Sequence, residues 1–327
     1  MAAPLLSVRN LRTVFGTGGG GIVAVDDVSF DVAPREVVGI VGESGSGKSV
    51  TALSIMGLLP QPQGRIAAGA ILFEGRDLLQ MPPRERRALR GGAMGMVFQE
   101  PMTSLNPVFT IGDQIVETIR QHERMGTRAA RARAVDMLGR VGIAAPARRL
   151  DDYPHQLSGG MRQRVMIAMA LACSPRLLLA DEPTTALDVT IQAQLLDLLR
   201  DLQAEFGMAI VLITHNMGVI AEFADRVLVM YAGRMAEEAP VGRIFDAPKH
   251  PYTIGLLAST PDIVEDNVRL RTIPGTLPNL ADLPPGCRFA PRCTRAIEAC
   301  GAGQPPMRDF AADHRAACIR ADMDAAP

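Results

Sequence analysis

The sequence predicts an α/β fold with a largely parallel sheet, and three apolar runs predict it. Val37-Val38-Gly39-Ile40-Val41 leads into the glycine-rich turn Gly42–Ser49 and then into Thr51–Met56, which suits a helix. Arg176–Ala180 ends in the paired carboxylates Asp181 and Glu182, and Ala209–Thr214 ends at His215. Short continuous apolar runs bounded by turn residues read as buried strands. Strands that alternate with helices imply a sheet covered by helices, whose ligands bind at the carboxyl ends of the strands.

In chain order, residues 5 to 98 read as strands, a loop with its helix, and a strand Met94–Phe98 that ends at Gln99. The loop matches G-x-x-x-x-G-K-[ST] in full from Gly42 to Ser49, in the strand–loop–helix context that the motif needs. Gly42, Gly45 and Gly47, with Ser44 between them, let the backbone wrap phosphates. Lys48 reaches the outer phosphates and the Ser49 hydroxyl binds Mg²⁺. Of 34 Lys plus Arg, only Lys48 and Lys249 are lysines. An arginine-biased chain keeps a compact point charge where a planar guanidinium does not fit.

Residues 100 to 172 read as mostly helical: Ile111–Arg124, Thr127–Val141, and a helix from Gly159. Leu157-Ser158-Gly159-Gly160-Met161 opens that last helix and reads as a second phosphate-recognising turn. One nucleotide does not need two such cradles from one subunit. The second therefore points to a nucleotide on another chain, hence to an ATPase, a dimer and a shared site. From Arg176 strand–helix alternation resumes and runs to Met230. Asp181 is expected to hold Mg²⁺ through water, Glu182 to act as general base, and His215 to contact the γ-phosphate.

Net charge is −1, so no global basic field points to nucleic acid. Arginine clusters at 84–90 and 124–133 read as solvated helix faces. No apolar run approaches the roughly 18 to 20 residues of a membrane span. The start Met1–Leu6 lacks the charged and apolar regions of a signal peptide. The expectation is a cytosolic chain whose membrane contact comes through partners. No internal repeat is present, which argues against two fused nucleotide domains.

The tail from about 236 is proline-rich and holds Cys287, Cys293, Cys300 and Cys318. A reducing cytosol argues against disulfides. The spacing C-x5-C-x6-C-x17-C lacks the tight knuckles of structural zinc sites. Wider loops suit a four-thiolate [4Fe–4S] cluster, the expected occupant, with zinc and free thiols as alternatives. Cys173 reads as a buried small apolar residue on the helix that starts at Gly159.

Over residues 5 to 240 the order of these motifs resembles the ATP-binding subunits of ABC transporters. The resemblance implies a P-loop NTPase (RecA-like) core, a helical subdomain at about 100–172 carrying the signature motif, and a small cysteine-containing extension. Gly42–Ser49 then correspond to Walker A and Gln99 to the Q-loop glutamine, a Mg²⁺ ligand with Ser49. Ser158, Gly159, Gly160 and Met161 belong to the signature, with Met161 in place of the commoner glutamine. Asp181 and Glu182 form Walker B, Ala186-Leu187-Asp188 the D-loop, and His215 the switch histidine. Phe15 is the candidate for adenine stacking.

The wording Gln99-Glu100-Pro101-Met102-Thr103-Ser104-Leu105-Asn106-Pro107 resembles the oligopeptide/dipeptide importer branch, as do His250–Thr253 and Ile273–Pro278. That branch also contains importers of nickel and glutathione. It implies a nucleotide-binding domain over 1–240 and an importer-type extension over 241–327. It also implies a second, related ATPase subunit, two membrane permease subunits, and an extracytoplasmic substrate-binding protein. The chain would sit peripherally on the cytoplasmic face of the membrane. A non-transport ABC ATPase acting on nucleic acid is the weaker alternative, since paired nucleotide domains and long coiled coils are missing.

Overall fold

The computed structural model describes residues 3–16, 21–100, 104–184, 188–260 and 272–321. Its strands are β1 (Leu6–Phe15), β2 (Ile22–Val32), β3 (Val37–Val41), β4 (Gly64–Phe73), β5 (Arg76–Asp77) and β6 (Met94–Val97). They continue with β7 (Leu177–Asp181), β8 (Ala209–Thr214), β9 (Arg226–Tyr231), β10 (Arg234–Pro240), β11 (Arg308–Ala311) and β12 (His314–Ala316). The chain divides into two compact units. One comprises Met1–Val32, Val37–Leu79 and Leu212–Pro327, the other Ala33–Glu36 and Gln80–Val211.

In the first unit an antiparallel sheet runs in the order β2-β1-β4-β5. Leu6 stands opposite Val32 on one side and Phe73 on the other. Period-two alternation turns Val28, Phe30 and Val32 inward, each at most 2% exposed. All five residues of β3 are buried, as a strand covered on both faces requires. It pairs in parallel with β9, from Val38 opposite Arg226 to Val41 opposite Val229. β9 turns back through Ala232 and Gly233, both at positive φ, into antiparallel β10. The tail strands β12 and β11 then extend that edge. Glu237 of β10 is fully buried and stays tolerable because three groups satisfy it. Lys249 donates its backbone N–H at 2.6 Å, His250 donates its backbone N–H at 2.8 Å, and His314 Nε2 lies at 2.7 Å.

In the second unit the helices Ile111–His122, Thr127–Arg140 and Gly159–Leu171 pack on one another. Ile111, Ile115 and Ile119 recur at helical spacing and bury one face, while Thr110 caps the start by accepting from the Asp113 N–H. β6 and β7 pair in parallel from Met94 opposite Leu177 to Val97 opposite Ala180. The chain passes from the second unit back to the first within β8.

The α/β class holds, with parallel β3–β9 and β6–β7 pairs as the alternation implied. The antiparallel share is larger than expected, because short turns join β9 to β10 and β11 to β12, and such turns permit only antiparallel pairing. Among the described residues no helix is long and apolar enough to cross a membrane.

Candidate functional site

The first unit carries the phosphate loop, between β3 and the helix Lys48–Met56. A side chain at Gly42 would collide with the Met230 carbonyl, and a Cβ on Gly47, at φ 101°, would stand 2.7 Å from the Ala24 carbonyl oxygen. Only glycine lets the backbone close in this way. Ser44 and Gly45 are the exposed rim of the loop, and Ser49 is half-exposed. Lys48 is 5% exposed and its Nζ donates to the carbonyls of Gly42 at 2.8 Å and Glu43 at 3.1 Å. The helix has no side-chain cap and no acidic residue in its first turn, so the positive end of its dipole suits an anion. The Ser46 hydroxyl is buried in the loop without a hydrogen-bond partner. A glycine cradle, an inward ammonium and an orphaned hydroxyl together fit a polyphosphate. A Mg²⁺ ion carried by phosphates needs few protein ligands, so this loop suits it too.

Also in the first unit, His215 is exposed directly after β8. Asn216 follows it and caps the next helix, accepting from the N–H groups of Gly218 and Val219. Phe15 ends β1 half-buried, opposite Ile22 and Gly64. Part of the glycine loop beyond it, residues 17–20, lies outside the described residues.

In the second unit Asp181 closes β7 at 5% exposure, and Glu182 follows with φ 47°. A left-handed glutamate is uncommon and costs conformational energy. Gln99 Nε2 donates to Glu182 Oε2 at 3.3 Å, so two residues 83 apart in sequence meet. Ser158 caps the helix Gly159–Leu171 through its hydroxyl, which accepts from the Met161 N–H at 3.3 Å. Ser158 and Gly159 are exposed and Gly160 and Met161 half-exposed. A second acid-free helix start is thus open to solvent. Asp188 caps the helix Val189–Phe206 by accepting from the Ile191 N–H at 2.9 Å. Ala186 and Leu187 of the D-loop, and Pro101–Thr103 of the importer-like loop, lie outside the described residues.

The cysteine expectation is corrected. Among the described residues no group of three or more His, Cys, Asp or Glu side chains is placed to hold a metal ion. Neither a [4Fe–4S] cluster nor zinc is therefore supported at Cys287, Cys293, Cys300 and Cys318. All four are free thiols that line one pocket with Phe289 and Pro305. Burial, with a smaller push from the neighbouring cysteines, raises the Cys287, Cys293 and Cys318 thiol pKa values, against backbone N–H groups that pull them down. Cys173 lies past the end of its helix and is half-buried, with burial pushing its thiol up to about 11.

Sequence reasoning missed Glu43, Tyr231, Tyr252 and Arg292, which meet beside the phosphate loop. The Glu43 N–H donates to the Tyr252 hydroxyl at 2.8 Å, and both Glu43 carboxylate oxygens accept from Arg292 Nη1, at 3.0 and 2.9 Å. The wording around Tyr252 and before Arg292 had signalled kinship, but no local pattern signals contacts across more than 200 residues.

The ABC transporter family matches residues 25–185, and the family described as oligopeptide/dipeptide transporter, C-terminal region, matches residues 236–300. Provisionally named peptide import ATP-binding proteins of Brucella melitensis and Brucella ovis are each 55% identical, covering 97% of this chain and 97% of their own. Among solved structures, the ATP-binding cassette MJ0796, in a dimeric post-hydrolysis state bound to ADP and Pi, aligns with TM-score 0.64 at 31% identity. The match covers 72% of this chain and 98% of that one. CbiO1 of Clostridium perfringens, part of the transporter complex cbiONQ, aligns with TM-score 0.63 at 26% identity over 74% of this chain and 90% of its own. The chain belongs to the ATP-binding subunits of ABC transporters, within the oligopeptide/dipeptide importer family.

Proposed function

We propose that this chain hydrolyses ATP to power import of di- or oligopeptides through a membrane ABC transporter. The observation that carries the reading is the Gln99–Glu182 contact, with Glu182 held in a left-handed backbone directly after β7. ATP and Mg²⁺ are the substrate and ion of such an ATPase. Gly42, Ser44, Gly45, Gly47 and Lys48 bind the phosphates, and Phe15 stacks on the adenine. Ser49, Gln99 and Asp181 would hold Mg²⁺, which offsets phosphate charge when bound. Glu182 takes a proton from the attacking water, and His215 steadies the γ-phosphate.

Ser158, Gly159, Gly160, Met161 and Asp188 face the nucleotide of a second ATPase subunit, related but distinct. Residues 1–240 serve as the nucleotide-binding domain, with its helical subdomain at about 100–172, and 241–327 as the importer-type extension. Two permease subunits and an extracytoplasmic binding protein complete the machine, with this chain on the cytoplasmic face. The names of the Brucella relatives support peptide as the cargo.

Glu182→Gln tests the reading. ATP turnover is expected to fall by about a hundredfold or more, while ATP binding persists and the ATPase pair accumulates closed. Unchanged hydrolysis in that variant would remove Glu182 from the mechanism.

A further inference from the structure

The C-terminal extension reaches the phosphate loop at Glu43, the loop's second residue. Arg292 is 9% exposed and sits within a tight set of partners. Its Nε donates to the Pro274 carbonyl at 2.8 Å and its Nη1 to the Tyr231 hydroxyl at 3.3 Å, besides both oxygens of Glu43. Burial works against its positive charge, yet bonds to Glu43 and Tyr231 hold its pKa up. Tyr252, fully buried, accepts from the Glu43 N–H and thereby fixes the backbone as well as the side chain.

Two of the chain's three tyrosines and Phe289 form the platform beneath these bonds. Ring centroids lie 4.6 Å apart for Tyr231–Tyr252, 5.2 Å for Tyr231–Phe289 and 5.4 Å for Tyr252–Phe289. Aromatic pairs at such separations add stability beyond the area they bury. Leu277 Cδ2 also lies nearby, 3.4 Å from where a Cβ on Gly45 would stand. Segments 249 and 209 residues downstream of Glu43 thus converge on one loop residue.

Glu43 places a carboxylate in a loop built for a polyanion. Unpaired, it would repel phosphate through a poorly screened path. We propose that Arg292 and Tyr252 are positioning residues for ATP binding: Arg292 neutralises and anchors the Glu43 carboxylate, and Tyr252 anchors the Glu43 backbone. The C-terminal extension is then a working part of the nucleotide site. The proposal rests on reading Gly42–Ser49 as the ATP phosphate loop.

Titration of the full-length chain with Mg²⁺–ATP, read by a fluorescent nucleotide analogue in competition, tests it. Arg292→Gln leaves a half-buried carboxylate without its cation and is expected to raise the Kd for ATP about tenfold. Glu43→Gln/Arg292→Gln removes the stranded charge and is expected to recover most of that loss. A merely structural Arg292 predicts the opposite, a double variant no better than the single one. Tyr252→Phe keeps the aromatic platform and deletes one hydroxyl, for an expected rise of about threefold with the cooperative unfolding transition retained. Lys48→Ala is the control for the loop itself. If Lys48→Ala abolishes binding while Arg292→Gln and Tyr252→Phe stay within about twofold of wild type, the positioning role is refuted. If Lys48→Ala also leaves the Kd unchanged, the phosphate-loop reading has failed and the proposal falls with it.

Discussion

At the scale of single residues, the phosphate loop was legible because its chemistry demands particular residue types at fixed offsets. Gly42, Gly47 and Lys48 each occupy positions where the backbone closes on itself or a compact charge is held by carbonyls. Its orphaned Ser46 hydroxyl was not legible, since burial and partner count depend on the fold. A buried hydroxyl without a partner carries a desolvation cost and no return in the nucleotide-free chain. Ser46→Ala is therefore expected to leave the unfolding temperature of that chain unchanged or slightly raised, while reducing the thermal shift caused by Mg²⁺–ATP. A fall of several degrees without nucleotide would show that the hydroxyl stabilises the loop itself. Lys48→Arg tests the point-charge argument: a planar fork cannot take the place of the ammonium, so ATP binding should weaken about tenfold. The left-handed φ of Glu182 was likewise hidden, because sequence pattern reports residue type and not strain.

At the scale of elements, apolar periodicity placed β3, β8 and the helix from Gly159 closely. It was silent on the antiparallel strands of the tail, whose pairing is set by turns and by buried polar groups. The helix Pro251–Ala258, which carries Tyr252, begins at such a group. His250 caps it, with Nδ1 accepting from the Tyr252 N–H at 3.1 Å, and only a neutral imidazole has that acceptor. Burial pushes His250 down to about 4, against a smaller upward pull from the Glu237 carboxylate. A depressed folded pKa means that this stabilisation is complete above the unfolded value near 6.5 and is lost as pH falls toward 4. The loss is on the order of 3 kcal/mol at most. Thermal unfolding scans should show stability declining between about pH 6.5 and 4, with a shallower decline for His250→Asn, which keeps a capping acceptor but does not titrate. Parallel curves for the two proteins would contradict this assignment.

At the scale of the whole molecule, the sequence marked out a motor subunit but misjudged its cysteines. Cys287, Cys293, Cys300 and Cys318 share a pocket, as their clustering in sequence suggested, yet their thiols do not form a metal shell. The surface of the second unit offers a different clue: Val108 is 70% and Phe109 52% exposed, just before the helix Ile111–His122. Adjacent exposed apolar side chains are a docking liability unless a partner covers them, and a permease subunit is the partner that the proposed function supplies. Phe109→Ser is accordingly expected to lower peptide transport several-fold in the assembled transporter while leaving ATP binding by this chain intact, which paired uptake and nucleotide-binding assays would reveal. The most direct measurement is the ATPase rate of the complete complex in lipid vesicles, with and without peptide-loaded binding protein. The rate is expected to rise with peptide-loaded binding protein and to be abolished by Glu182→Gln. A rate indifferent to peptide and to that substitution would contradict a peptide-import motor driven by Glu182.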